Sequence, residues 1–299
     1  MRTVLVLGAG ASVPFGLPTA SELKRKVIES PPQEIGYSGF QSQQHKADFL
    51  DRLALGGWPS IDAFLSHNSP MSDLGKRYIA ATLLPLEQKA VIKKILGDDW
   101  HGWLFPKLVK RGTLDLSDTF FVSFNYDRLL EFGLAVMASR SLGAKFDVAL
   151  DTIRTKSLVH VYGSLMCHES EIRAHRVANG EAPPLHLHSN VSVAASGLLV
   201  VPDQRNTSPS ASMTNAEAAL LRAERVIFLG FGFDELNLAR IGISRKSIHW
   251  MSVRQQIFAS CYGMQTAEIT EAKRLIGKPV EFGVSSQDCL AMLRDLVTW

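Results

Sequence analysis

Apolar and polar positions along this chain follow two periods, and each change of period marks an element. Residues 4–7, Val-Leu-Val-Leu, are continuously apolar and partly β-branched, the pattern of a strand buried on both faces. The strand ends in Gly8-Ala9-Gly10-Ala11-Ser12. Helical spacing follows over 19–29, with Thr19 or Ser21 as cap and Glu22 in the first turn. Pro31-Pro32 stops that helix. From 33 to 117 the spacing is helical throughout, in 60–65, 74–84, 86–96 and 100–109, so this segment is expected to be a strand-free helical insertion. Strand character returns at 119–125, 157–162, 198–201, 225–229 and 247–253. Helices are expected from Asp127, from a capping box at Thr214 and Glu217, over 266–276 and over 287–299.

Strands alternating with helices predict an α/β fold, a Rossmann-like doubly wound parallel sheet carrying the insertion after its first strand-helix unit. The whole of 1–299 is read as one domain. In such sheets ligands sit outside the carboxyl ends of the strands, and there the chain places its unusual residues: Gly8 to Ser12, Asn125 to Asp127, His160 to Ser164 and Gly230 to Asp234. A Gly-rich turn lets backbone approach a pyrophosphate, although a tight turn without ligand uses the same residues. Val13 stands where a dinucleotide fingerprint has its third glycine, and no acidic strand end follows about 20 residues on, which argues against hydride transfer.

Composition changes this picture little. With 46% hydrophobic and 20% charged residues the chain is ordinary globular material. A net charge of +3 does not call for nucleic acid, and no stretch approaches the roughly 20 apolar residues of a membrane span. Cys167, Cys261 and Cys289 are widely separated, so neither a disulfide scaffold nor a cysteine zinc site is expected, and a reducing cytoplasm fits. His168, His175, His186 and His188 lack a recognisable ligand spacing, and no metal is expected.

The four polar stretches, in this order, resemble the sirtuin-like NAD-binding family, closer to its bacterial antiphage NAD hydrolases than to its deacetylases. Gly8-Ala-Gly10-Ala-Ser12 matches the Gly-Ala-Gly-x-Ser turn, Asn125-Tyr-Asp127 the Asn-x-Asp segment, and His160-Val-Tyr-Gly163-Ser164 the catalytic histidine segment. Residues 223–237 resemble the late strand and loop that hold the adenosine half of NAD. The zinc module of the deacetylases and the family's Asp-Phe-Arg element are missing.

The resemblance implies cleavage of the nicotinamide–ribose bond of NAD to nicotinamide and ADP-ribose. It makes Asn125 the holder of ribose hydroxyls and water, and His160 the general base. Asp127 would bind the nicotinamide amide or orient His160, or only cap the following helix. Gly8, Ala9, Gly10, Ala11, Ser12, Gly163 and Ser164 would line the NAD site, with Gly230, Gly232 and Asp234 on its adenosine side. Asp234 equally suits an N-cap, and Arg205, in a long loop, suits either a phosphate contact or a solvated position. The implied partners are NAD, together with further copies of the chain, a protein encoded nearby that supplies sensing or activation, or both. A non-catalytic NAD or ADP-ribose sensor is the alternative, and deacylation or ADP-ribosyl transfer a third.

Overall fold

A computed structural model describes residues 1–36, 42–94, 98–165, 191–200, 211–243 and 255–299. β1 (Thr3–Leu7) runs into two 3-10 turns, Ala9–Ala11 and Val13–Phe15, before α1 (Ala20–Glu29). Then come α2 (Ser42–Leu55), α3 (Ile61–His67), α4 (Ser72–Lys94), α5 (Trp100–Leu104) and an antiparallel ribbon of β2 (Val109–Lys110) and β3 (Thr113–Leu114). The alternation resumes with β4 (Thr119–Ser123), α6 (Leu129–Leu142), α7 (Phe146–Lys156), β5 (Leu158–His160) and α8 (Val191–Ser196). It closes with α9 (Ala211–Arg222), β6 (Arg225–Leu229), α10 (Glu235–Arg240), β7 (Gln256–Ala259), α11 (Thr266–Ile276), β8 (Glu281–Phe282) and α12 (Cys289–Leu296).

Six strands form one parallel sheet in the order β5-β4-β1-β6-β7-β8. The chain winds outward from β1 in one direction, returns, and winds outward from β6 in the other. The order therefore reverses between β1 and β6, the place where doubly wound sheets open a crevice at their carboxyl ends.

Alternation along each strand divides the core. Leu5, Leu7, Phe121, Ile227 and Leu229 pack on one face with residues of α5, α6, α7 and α12. Val4, Val6, Val122, Val226 and Phe228 pack on the other with residues of α9, α10 and α11. A third cluster joins α1 to α4 through Leu23, Val27, Phe49, Phe64 and Tyr78, and reaches the strand ends through Tyr126 and Tyr162. Each large side chain buried there contributes roughly 1.5–3 kcal/mol against its exposed state.

A polar clamp fastens this helical cluster to the sheet: the Tyr126 hydroxyl donates to Asp62 Oδ1 of α3 at 2.6 Å. Burial pushes the Asp62 carboxyl above its ordinary range, opposed by that hydrogen bond. Tyr126→Phe leaves the buried acceptor unsatisfied and is expected to cost about 1–3 kcal/mol, read as a lower midpoint in urea unfolding.

Several sequence expectations need correction. Residues 74–84 and 86–96 belong largely to one helix, α4, which carries Pro85 inside it. The 33–117 segment is not strand-free, because β2 and β3 pair across Arg111 and Gly112, both at positive φ as a type I′ hairpin turn requires. Two-residue strands are too short to show a period. In 198–200 only Leu198 pairs, through one bridge to Gly163. α9 begins at Ala211, so Thr214 lies inside the helix and not at its cap. The strand expected at 247–253 lies outside the described residues; β7 occupies Gln256–Ala259, and β8 had no sequence signal. Among the described residues no helix is long and apolar enough to cross a membrane.

Candidate functional site

The hydrogen-bond ladder continues one residue past the strand ends and brings the predicted stretches together. Phe124 N donates to Leu7 O at 2.9 Å, Val161 N to Ser123 O at 2.8 Å, and Gly8 N to Leu229 O at 2.9 Å. The residues that leave β1, β4, β5 and β6 are thus neighbours, as the doubly wound reading requires.

Ser12, Asn125 and Asp127 form one buried set at this rim. The Asn125 side-chain amide donates to Gly8 O at 3.0 Å and to Ser12 Oγ at 3.0 Å. Because a carbonyl only accepts, the atom facing Gly8 O must be nitrogen, which fixes the amide's orientation. Both Nδ2 hydrogens are committed, and Oδ1 remains as the acceptor of the amide. Ser12 Oγ in turn donates to Asp127 Oδ2 at 2.7 Å.

Asp127 also accepts from Leu129 N through Oδ1 at 3.2 Å, so the helix-capping reading holds beside its place in the cluster. Burial pushes its carboxyl up to about 6, helped by the charges of Glu87 and Glu131 and opposed by the Ser12 and Leu129 hydrogen bonds. A folded-state value above the unfolded one means that the fold binds the proton more tightly than the open chain. Asp127 therefore withdraws stability as pH rises from about 3.8 through about 6. Asp127→Asn is expected to gain on the parent chain by on the order of 2–3 kcal/mol between pH 4 and pH 7.5, measured by urea unfolding at both values.

His160 follows strand parity. Leu158 belongs to the core on the α6 and α7 side and Val161 to the opposite one, which sets His160 beneath α6. Its Nδ1 lies 3.0 Å from Asn125 O and its Nε2 lies 3.4 Å from Glu131 Oε1. Arg154 of α7 approaches the same Glu131 oxygen at 3.5 Å. The Glu131 contact lacks hydrogen-bond geometry and is held by charge. Burial works against the charged form of each partner, but their mutual attraction outweighs it: His160 moves up from its ordinary value and Glu131 falls well below the carboxylate range.

The glycine turn differs from a phosphate cradle. The amides of Gly10, Ala11 and Ser12 donate to Gly230 O, Gly8 O and Ala9 O, and that of Gly8 extends the sheet. These N–H groups are spent inside the protein. The 3-10 turns delay α1, whose N-terminus is closed by a Thr19–Glu22 capping box and offers no ready anion site. The glycines answer a packing need, since a Cβ on Gly8 would sit 2.5 Å from Gly230 O and one on Gly10 2.7 Å from Gly230 Cα. Trp100 locks the turn from below, donating from Nε1 to Ala11 O at 2.8 Å.

The remaining candidates divide. Gly163, at φ +65°, backs onto Gly197 O, and Ser164 beside it is half-buried. Gly232 is exposed with open space around it, while Asp234 caps α10 by accepting from Asn237 N at 3.0 Å. Arg205, His168, His175, His186 and His188 lie outside the described residues, and among those described no group of metal-ligating side chains occurs. Sequence reasoning missed Glu131, although its signal was present: a lone carboxylate in the otherwise apolar start of α6, Leu129-Leu-Glu-Phe-Gly-Leu-Ala. It also missed Tyr162, whose hydroxyl donates to Asn237 Oδ1 while Arg240 stands 4.7 Å from its ring centre.

No protein-family model and no curated protein matches the chain, so the functional reading rests on this geometry and on the motif resemblance.

Proposed function

We propose that this chain is an NAD glycohydrolase, cleaving the nicotinamide–ribose bond with water to give nicotinamide, ADP-ribose and a proton. The observation that carries the reading is the buried Ser12–Asn125–Asp127 set, joined by hydrogen bonds where β1 and β4 end, next to the reversal of strand order between β1 and β6. The chemistry asks for little more. The C–N electron pair leaves with the nicotinamide, which departs neutral, so no acid is needed; the ribose develops positive charge, and water forms the new C–O bond.

Asp127, ionised at neutral pH yet more basic than an ordinary carboxylate, supports that developing charge and takes the water proton. Asn125 Oδ1 accepts from a ribose hydroxyl or from the water. The pyrophosphate is gripped less by the amides of residues 8–12 than the sequence suggested, because those of Gly8, Gly10, Ala11 and Ser12 are taken up inside the fold. The helical segment between α1 and β4 is read as an insertion that meets other copies of the chain or an activating protein, in a bacterial antiphage response that depletes NAD in the cytoplasm.

One observation favours a second reading. Both His160 nitrogens already have partners, which suits a module that binds NAD or ADP-ribose without cleaving it. Calorimetric binding of NAD together with chromatography of the products separates the two. Binding with formation of nicotinamide supports the hydrolase, and binding with intact NAD supports the sensor.

A further inference from the structure

The expected general base does not have a base's surroundings. Asn125 O can only accept, so Nδ1 of His160, 3.0 Å away, carries a proton. Nε2 faces Glu131 Oε1 at 3.4 Å in a buried position. A nitrogen lone pair there would face a carboxylate, a repulsive arrangement, whereas a proton there makes the contact attractive. Two protonated nitrogens leave His160 no lone pair with which to accept a proton from water.

We infer that His160 is a fixed imidazolium that positions Asn125, with Glu131 as its counter-ion, and that it does not act as the general base. The inference rests on the reading of Asn125 as the acceptor for substrate, and it gives Glu131 a positioning role. The path runs from Glu131 on α6 to the imidazolium, from Nδ1 to the Asn125 carbonyl, and through the Asn125 residue to the amide that spans Gly8 and Ser12.

The surroundings favour the cation on balance. From α6 comes Glu131; from the β4–α6 connection come the Asn125 carbonyl and the Asp127 charge, both favouring the cation. From α7 comes Arg154, which shares the Glu131 oxygen and weakens its pull on His160. From α5 comes His101, which burial holds neutral, pushed down to about 3, so it adds no competing charge. The carboxylate side outweighs Arg154, and His160 stays protonated above its ordinary range.

The test uses the full chain with isotope-labelled histidine, following the His160 ring by NMR from pH 5.5 to 9, beside the pH profile of NAD hydrolysis. The parent ring is expected to be doubly protonated at pH 7, with kcat falling as pH rises through the ring's midpoint. Glu131→Gln is expected to lower that midpoint by at least about one unit, a tenfold loss of proton affinity. It should lower kcat at pH 8 about tenfold with KM little changed. Arg154→Met removes a cation from a half-exposed position, keeps the fold if Glu131→Gln does not, and should move the midpoint the opposite way, upward.

A neutral His160 at pH 7 overturns the inference, as does a midpoint that neither variant moves. So does a kcat that rises as the ring loses its proton. The NMR signs are read whether or not the chain hydrolyses NAD, so a chain without turnover defeats the hydrolase reading alone.

Discussion

Asn125→Ala is expected to lower NAD turnover by at least about 100-fold, the scale on which single preorganised polar groups act on a developing transition state. The substitution removes the Oδ1 acceptor and also both Nδ2 hydrogen bonds, leaving Ser12 Oγ without its donor and Gly8 O with the Ala11 amide alone. The stability cost of that loss is about 1–3 kcal/mol, the usual consequence of an orphaned buried acceptor. Activity and stability thus fall by very different amounts. Steady-state kinetics beside urea unfolding distinguishes them: a variant that loses stability but keeps its turnover removes Asn125 from the chemistry. Asn125→Asp is the sharper companion. It sets a carboxylate against Gly8 O and adds a second charge near Asp127, so it is expected to be no better than alanine despite its matching shape.

Gly230→Ala carries the largest expected effect on folding. Gly230 takes φ +57°, and a Cβ there would stand 2.0 Å from Ala11 N and 2.2 Å from the carbonyl carbon of Gly10, both backbone atoms with no side chain to swing aside. The loop after β6 and the turn after β1 would have to part, breaking the Gly10 N to Gly230 O bond. A loss of more than about 4 kcal/mol is expected, and insoluble or unfolded protein is the practical outcome. Gly232→Ala, two residues on and with nothing within 4 Å of its Cβ, is the control and is expected to leave thermal unfolding within about 0.5 kcal/mol of the parent. Equal behaviour of the two variants would contradict the loop packing described.

These two substitutions also show how far the sequence could be read. Hydrophobic periodicity located β1, β4, β5, β6, α1, α6, α9, α11 and α12, because continuous buried strands and amphipathic helices leave strong patterns, while α7 and α8 went unread. From that alone followed the parallel sheet and the gathering of Ser12, Asn125, Asp127 and His160 at its carboxyl rim. What the pattern could not give was where each polar atom points. Gly8 and Gly10 were legible as close-approach residues, and the group that packs against them in the fold is the backbone of Gly230, some 220 residues away. His160 was legible as a residue of the strand-end rim, while its direction depends on one step of strand parity and on Glu131, whose relation to β5 arises only through packing of α6 on the sheet. Short strands such as β2, β3 and β8 left no trace, since two residues cannot establish a period.

Energetically unusual features cluster at this rim. Asp127 is held more basic than an ordinary carboxylate, Phe233 takes a left-handed φ of 53° after Gly230, and His160 with Glu131 buries two charges. The Asp127 and Phe233 features lower stability on their own, whereas the burial of His160 and Glu131 is offset by their mutual attraction, and such groups cluster at functional sites. The aromatic packing of Phe228, Phe231, Phe233 and Phe282 is what holds the Gly230 loop in place.

The most direct measurement is product analysis by mass spectrometry after incubating the purified full chain with NAD, beside its Asn125→Ala variant. The proposal predicts nicotinamide and ADP-ribose in equal amounts from the parent chain and at least about 100-fold less from the variant. Intact NAD after saturating incubation, or equal product from both proteins, would contradict it.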